Sequence, residues 1–227
     1  MELLERLPHE NARNYAIRVL THNIVTLQLE PGSSISENEL SVSLNISRTP
    51  VREALIELHK QQLVEIYPQR GSYISKIDYS LIEETRFIRS TLENAIVELA
   101  CEGINDDFKN KLHLNLTLQN YFLQEKNSEK LFEYDNEFHE LLYASVNRSR
   151  TYAIIKMQMV HFDRLRALSV KNIKNIKDVK IVKDHENILE AIERGDKELA
   201  VTLMTKHLSR YHGEQEELQK SHPDYFL

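Results

Sequence analysis

Apolar residues recur at three- and four-residue steps through Ala16, Ile17, Leu20, Ile24 and Leu27, which predicts a helix over residues 12–29, stopped by Pro31-Gly32. Ser36-Glu-Asn-Glu39 has the spelling of a capping box and opens a short helix carrying Leu40 and Leu44. Asn45 can close that helix in the left-handed conformation. A third helix starts at Ser47-Arg48-Thr49-Pro50, where Ser47 or Thr49 can cap and Pro50 loses nothing by lacking an N–H in the first turn; Val51, Leu55 and Leu58 are its apolar face. The runs 63–67 and 72–77 are β-rich and flank Pro68-Gln69-Arg70-Gly71, which reads as a hairpin. Three helices and a hairpin make a winged helix-turn-helix. From Asp78 the pattern is helical throughout, with segments near 80–101, 106–125, 129–146, 150–169, 178–194 and 197–219, and breaks at 103–105, 126–128, Asn147, 171–177 and Gly195-Asp196.

Composition sharpens this division. Four of five prolines fall at Pro8, Pro31, Pro50 and Pro68, and the next is Pro223, so the long stretch between Pro68 and Pro223 lacks the residue that breaks helices. The fold class predicted is mainly α: an N-terminal winged helix-turn-helix over residues 1–77 and an all-α antiparallel bundle over 78–227, joined by a few residues around 78–80. Such a short linker implies mechanical coupling. The single Cys101 excludes an internal disulfide framework, no apolar run reaches the length of a membrane span, and Met1-Glu-Leu-Leu-Glu-Arg lacks the order of a signal peptide; a cytoplasmic protein without a membrane partner is expected. At a net charge of −6 the chain as a whole is no polyanion binder, so only a local motif can argue for nucleic acid.

Such a motif exists. The first turn of the third helix carries Ser47, Arg48, Thr49 and Arg52, hydroxyls and guanidinium groups at a helix end whose dipole attracts phosphate. Read bare, Arg48 and Arg52 are equally well solvated helix charges. The run SRTPVREALIELHKQQLVEIYPQRGSYI resembles the DNA-binding signature of the GntR family of bacterial transcription regulators, from about Pro31 to Ile74. The resemblance implies base contact by Arg48 and Arg52, phosphate contact by Ser47 and Thr49, and a wing tip, Arg70-Gly71, in the minor groove. Two positions depart from the family: Asn45 and Gln62 stand where glycine is usual, and glutamine tolerates a positive φ poorly, so a differently shaped turn is expected at Gln61-Gln62.

A second constellation lies in the helical part. Asp135 and His139 are four residues apart on one helix face. His185 and His207 flank the Gly195-Asp196 turn at similar distances, so an antiparallel hairpin sets them at nearly one height. One carboxylate and three imidazoles suit a divalent transition metal: zinc, nickel, cobalt or manganese. His161 mirrors Asp135 across the Asn147 turn and is an alternative partner by spacing. The second part resembles the FCD ligand-binding domain of the FadR branch, through FIRSTLE (87–93), YDNEFHELLYASVN (134–147), DHENILEAIERGD (184–196) and MTKHL (204–208). That resemblance implies metal ligation by Asp135, His139, His185 and His207, a small carboxylate metabolite as effector with Arg89 in its recognition, and the roughly six-helix VanR-like subgroup. Arg89 is read equally well as a tie to a neighbouring acidic residue.

A metal-dependent hydrolase-like bundle with an accessory DNA-binding domain is the competing reading. No histidine is followed by aspartate, His139-Glu140 lacks the second histidine of a zincin, and the five glycines build neither a P-loop nor a dinucleotide fingerprint. A purely structural or storage bundle leaves the first 76 residues unexplained. The expectation is a non-enzymatic, homodimeric, ligand-responsive transcription regulator on a palindromic operator in double-stranded DNA.

Overall fold

The computed structural model describes residues 1–172, 176–209 and 215–227. The chain forms two compact units: Met1–Ile82 with Val160–Ser169 and Glu216–Leu227, and Glu83–Met159 with Val170–Gln215.

In the first unit, α1 (Ala12–Val25) starts at Asn11, whose side chain accepts from the Asn14 amide at 2.8 Å. It ends at Val25, four residues short of the expected end at residue 29. The Asn23 carbonyl takes the amides of both Gln28 and Leu29, and Leu27 turns left-handed at φ 59° while its side chain stays buried. A two-residue strand, β1 (Ser34–Ile35), precedes α2 (Glu37–Leu44) and α3 (Arg48–Lys60). The hairpin β2 (Val64–Tyr67) and β3 (Gly71–Ile74) completes an antiparallel sheet of order β1-β3-β2, with Ser34 opposite Tyr73 and Glu65 opposite Tyr73 on the other side. Burial of Val51, Ala54, Leu55 and Leu58 against Ala16, Val19, Leu20 and Ile24 fixes which face of α3 is turned inward. Each Val, Leu or Ile side chain among them taken fully from water contributes about 1.5–3 kcal/mol.

Ser36 and Ser47 occupy the N-cap positions of α2 and α3, but neither hydroxyl makes a cap bond, so the expected capping box is not formed. Asn45 closes α2 left-handed at φ 51°. Gln62 also takes φ 59°. The turn at Gln61-Gln62 therefore has the conformation a glycine would give, contrary to the expectation of a different shape. Its neighbours impose this, because the Gln62 amide bonds the His59 carbonyl and the Leu63 amide the Leu58 carbonyl.

Two later segments join this unit. The buried guanidinium of Arg164 donates to the hydroxyl and carbonyl of Ser75. Near the C-terminus, Ile77 and Phe226 form a parallel bridge, and the Phe226 ring stacks on Tyr79 with centroids 5.2 Å apart.

The second unit is helical: most of α4 (Tyr79–Ala100), then α5 (Asp106–Gln124), α6 (Ser128–Ser145), α7 (Ser149–Gln158), the end of α8 (Val160–Asn172), α9 (Ile176–Glu193) and α10 (Lys197–Leu208). A last helix, α11 (Gln215–Ser221), lies mostly in the first unit. The expected segment 150–169 is broken at Met159 without proline or glycine. Its Gln158 carbonyl accepts from the Thr85 hydroxyl at 3.1 Å. The expected segment 197–219 holds both α10 and α11; residues 210–214 lie outside the described residues, as does part of the break expected at 171–177. Between α9 and α10, Gly195 has φ 70° and Asp196 caps α10 through its side chain on the Leu199 amide, as the Gly-Asp pair predicts. Phe138, Leu142, Ile188, Leu189, Ala200 and Met204 are core residues that pack α6, α9 and α10 together.

Candidate functional site

With Val51, Ala54, Leu55 and Leu58 turned inward, the geometry of α3 puts Arg48 and Arg52, four residues apart, on its exposed side with Ser47 and Thr49 at its start. The Ser47 hydroxyl, free of cap duty, is exposed at the positive end of the helix dipole. Arg48 Nη2 lies 3.7 Å from Glu37 Oε2, a largely exposed pair. At the wing, the Arg70 amide bonds the Tyr67 carbonyl across a turn with Pro68 second and left-handed Gln69 (φ 61°) third, the pattern of a type II turn. Arg70 is exposed at the tip, 5.9 Å from the Tyr67 ring centre, and Gly71 follows at φ 105°.

In the second unit α6 supplies Asp135 and His139, α9 His185 and α10 His207, all four buried, with one potential ligand atom from each within 4.8 Å of the others. The Nε2 atoms of His185 and His207 are 3.3 Å apart, those of His207 and His139 3.2 Å, and His185 Nε2 is 3.6 Å from Asp135 Oδ1. Donors held about 2.0–2.1 Å from one ion in a tetrahedron are separated by roughly 3.3–3.4 Å. The His185–His207 and His207–His139 separations are close to that spacing, and one carboxylate with three imidazoles is a donor set that suits a divalent ion. The Phe138 ring stacks on His185 at 4.2 Å, and the Tyr152 hydroxyl donates to the Asn136 carbonyl beside Asp135. Burial holds both His139 and His185 below the ordinary imidazole value; for His185 the neighbouring His207 adds to it, while Glu93 opposes it at His139. Both rings are thus neutral near pH 7, the form that donates a lone pair.

Behind the ring nitrogens that face inward stand further groups. Glu93 Oε2 lies 2.6 Å from His139 Nδ1, a close approach without aligned hydrogen-bond geometry, and Asp184 Oδ2 lies 3.7 Å from His207 Nδ1. Gln119 Oε1 is hydrogen-bonded to His185 Nδ1 at 2.8 Å. Arg89 is buried, and its Nε donates to Glu93 Oε1 at 2.6 Å. Burial pushes the Glu93 carboxyl up, but Arg89 and His139 outweigh it and hold the group down to about 2. The structure thus places the arginine considered for an effector in an ion pair on its own helix.

His161, the alternative by spacing, is elsewhere: its Nε2 is 3.0 Å from the Gln61 carbonyl in the first unit. The residues that sequence reasoning missed are Glu93, Asn115, Gln119 and Asp184. Glu93 and Asp184 lay inside motifs already singled out. Asn115 and Gln119, four apart on a helix, carried no signal separating them from solvated amides.

An exposed guanidinium-bearing helix beside a three-stranded wing, with a separate helical bundle built around a buried Asp/His cluster, defines a winged-helix, DNA-binding transcription regulator. The chain belongs to the gntR family of bacterial regulatory proteins, which residues 14–74 match, and carries an FCD domain over residues 84–210. It is 30% identical over 219 residues, 96% of this chain and 95% of the relative, to the HTH-type transcriptional repressor RspR of Escherichia coli K12. The gluconate operon transcriptional repressor of Bacillus licheniformis is 24% identical, over 88% of this chain and 83% of its own. Among solved structures, E. coli McbR/YncC shares the fold with a TM-score of 0.76 and 19% identity, over 94% of this chain and 99% of that one. These families and relatives are regulators, not enzymes. Among the described residues no helix is long and apolar enough to cross a membrane.

Proposed function

We propose that this regulator is a cytoplasmic homodimer that binds a palindromic operator and whose bundle holds one divalent transition metal per chain and responds to a small organic acid. Residues 1–77 form the DNA-binding part, and residues 78–227 the metal-binding, effector-binding and dimerising part. The observation that carries the reading is the convergence of three imidazole Nε2 atoms and the Asp135 carboxylate in a buried cluster.

On DNA, Arg48 and Arg52 read base edges, Ser47 and Thr49 hold phosphate, and Arg70-Gly71 enters the minor groove. In the bundle Asp135, His139, His185 and His207 hold the ion, which when bound supplies an electrophilic position for a carboxylate. Arg89 takes part in acid recognition by sharing or exchanging its Glu93 contact, which makes Glu93 part of the response. Effector binding then biases α4, which follows the wing by a few residues, between two arrangements that differ in operator affinity.

Native mass spectrometry of the purified protein tests the proposal in one measurement. The expected species is a dimer carrying one metal per chain and an acid displaceable by added carboxylates. A monomer that takes up no zinc, cobalt, nickel or manganese refutes it.

A further inference from the structure

We propose that Gln119, clamped by Asn115, is the positioning residue that presets His185 as its Nδ1–H tautomer and so turns the bare Nε2 lone pair toward Asp135, His139 and His207. The inference rests on the metal reading above for its purpose, although the tautomer itself does not.

Donors and acceptors along this row fix the tautomer of the ring. Asn115 Nδ2 lies 3.1 Å from the Tyr134 carbonyl, which can only accept, and 3.0 Å from Glu137 Oε2. Asn115 must therefore present its nitrogen there and its oxygen on the other side. That oxygen accepts from Gln119 Nε2 at 2.6 Å, and the same nitrogen reaches the Tyr134 carbonyl at 3.4 Å. With its nitrogen committed, Gln119 has only Oε1 to offer His185 Nδ1, 2.8 Å away. An amide oxygen cannot donate, so the ring must.

The reverse arrangement fails. Turning the Gln119 amide over sets its oxygen against Asn115 Oδ1, and turning Asn115 as well sets Asn115 Oδ1 against both the Tyr134 carbonyl and Glu137. Asn115, Gln119 and His185 are all buried, and although the exposed Glu137 can swing away, the Tyr134 carbonyl is fixed in the backbone of α6, so neither arrangement is relieved. A neutral His185 carrying its proton on Nδ1 has none on Nε2, the atom facing its partners in the cluster.

The chain is short and local. Asn115 and Gln119 are adjacent on one face of α5, and Tyr134 is the residue before Asp135, so the clamp anchors to the backbone of the helix that supplies two of the four ligand residues. Its acceptor is uncharged, unlike the carboxylates near the other two rings, so it orients His185 without adding negative charge.

Long-range proton–nitrogen correlation spectra of full-length, metal-free protein read the tautomer directly, and cobalt(II) titration reads its consequence. Wild type should show His185 with its proton on Nδ1. Gln119→Met, which removes the acceptor at similar volume, should mix the tautomers and weaken cobalt binding by about 10–100-fold. Asn115→Leu, which lets the amide turn over, should shift His185 toward Nε2–H even if Gln119→Met does not fold. An Nε2–H His185 in wild type overturns the inference, as does unchanged tautomer and affinity in folded Gln119→Met. A wild-type protein that shows the expected tautomer but takes no cobalt overturns the metal reading and leaves the preset ring standing.

Discussion

Glu37→Gln should tighten operator binding. In the free protein Arg48 Nη2 sits 3.7 Å from Glu37 Oε2, with the two side chains 65% and 33% exposed. Two unit charges at such a separation in water attract by about 1 kcal/mol, and exposed pairs of this kind contribute about 0.2–1 kcal/mol. Arg48 has to leave this contact to reach a base or phosphate, so the pair works against binding by at most that amount. Removing the carboxylate also lifts a negative charge from the recognition face. A change of 1 kcal/mol is about fivefold in affinity and 0.2 kcal/mol about 1.4-fold, so a gain of about 1.4- to fivefold is expected, without loss of fold. The assay is fluorescence anisotropy on a duplex that the wild type enriches from random sequence, repeated from low to physiological salt. The gain should shrink as salt screens it, and it should largely vanish when Arg48→Ala is introduced as well, the signature of a coupled pair. An equal gain in the Arg48→Ala background, or weaker binding by the single variant, refutes the reasoning.

Arg52→Ala should abolish preference for the selected duplex by about 1–3 kcal/mol while leaving binding to unrelated DNA largely intact; full discrimination by that variant contradicts the recognition-helix assignment. Gln62→Gly should stabilise the chain. Left-handed geometry costs a side-chain-bearing residue about 1–2 kcal/mol, glycine returns roughly 0.5–1 kcal/mol in chain entropy, and the balance is a small rise in Tm, checked by calorimetry. The metal-free protein should lose stability as pH falls below about 6.5. His139 and His185 have folded values below the unfolded imidazole, so the unfolded chain binds the extra protons, and each group costs up to about 1.4 kcal/mol per pH unit until its folded value is reached. Glu93, held down to about 2, contributes stability above its unfolded value and loses it only at more acidic pH, so urea melts between pH 7.5 and 5 report the buried histidines, to which His161, also held low by burial, adds in the same direction and is removed by comparison with His161→Gln. Constant stability across that interval contradicts their neutral burial.

Much of this molecule is readable in its sequence because local chemistry and global need agree at the positions concerned. Asn45 closes α2 with the left-handed turn its side chain tolerates, and Pro68-Gln69-Arg70-Gly71 makes the wing turn its proline dictates. Asp135 and His139 meet by helix period, and His185 and His207 meet because Gly195-Asp196 folds α9 onto α10. Other features depended on distant partners. Strand β1 is two residues long and exists only through its pairing with β3. The break at Met159 has no local breaker, and the Gln158 carbonyl is met by Thr85, 73 residues earlier. It also divides His161 from the residues that precede it, which is why a mirror-image spacing from Asn147 did not bring His161 to the cluster. Gln62 adopts a conformation its own preferences oppose because the amides on either side of it are already bonded. Asn115 and Gln119 become legible only once Tyr134 and His185 are seen to face them.

Metal content per chain is the most direct test of the central claim. After loading with zinc and exhaustive dialysis, elemental analysis should find one ion per wild-type chain and essentially none in a folded His185→Ala, His207→Ala double variant. A folded wild type that keeps no ion, or a double variant that keeps a full equivalent, contradicts the assignment of Asp135, His139, His185 and His207 as a metal centre.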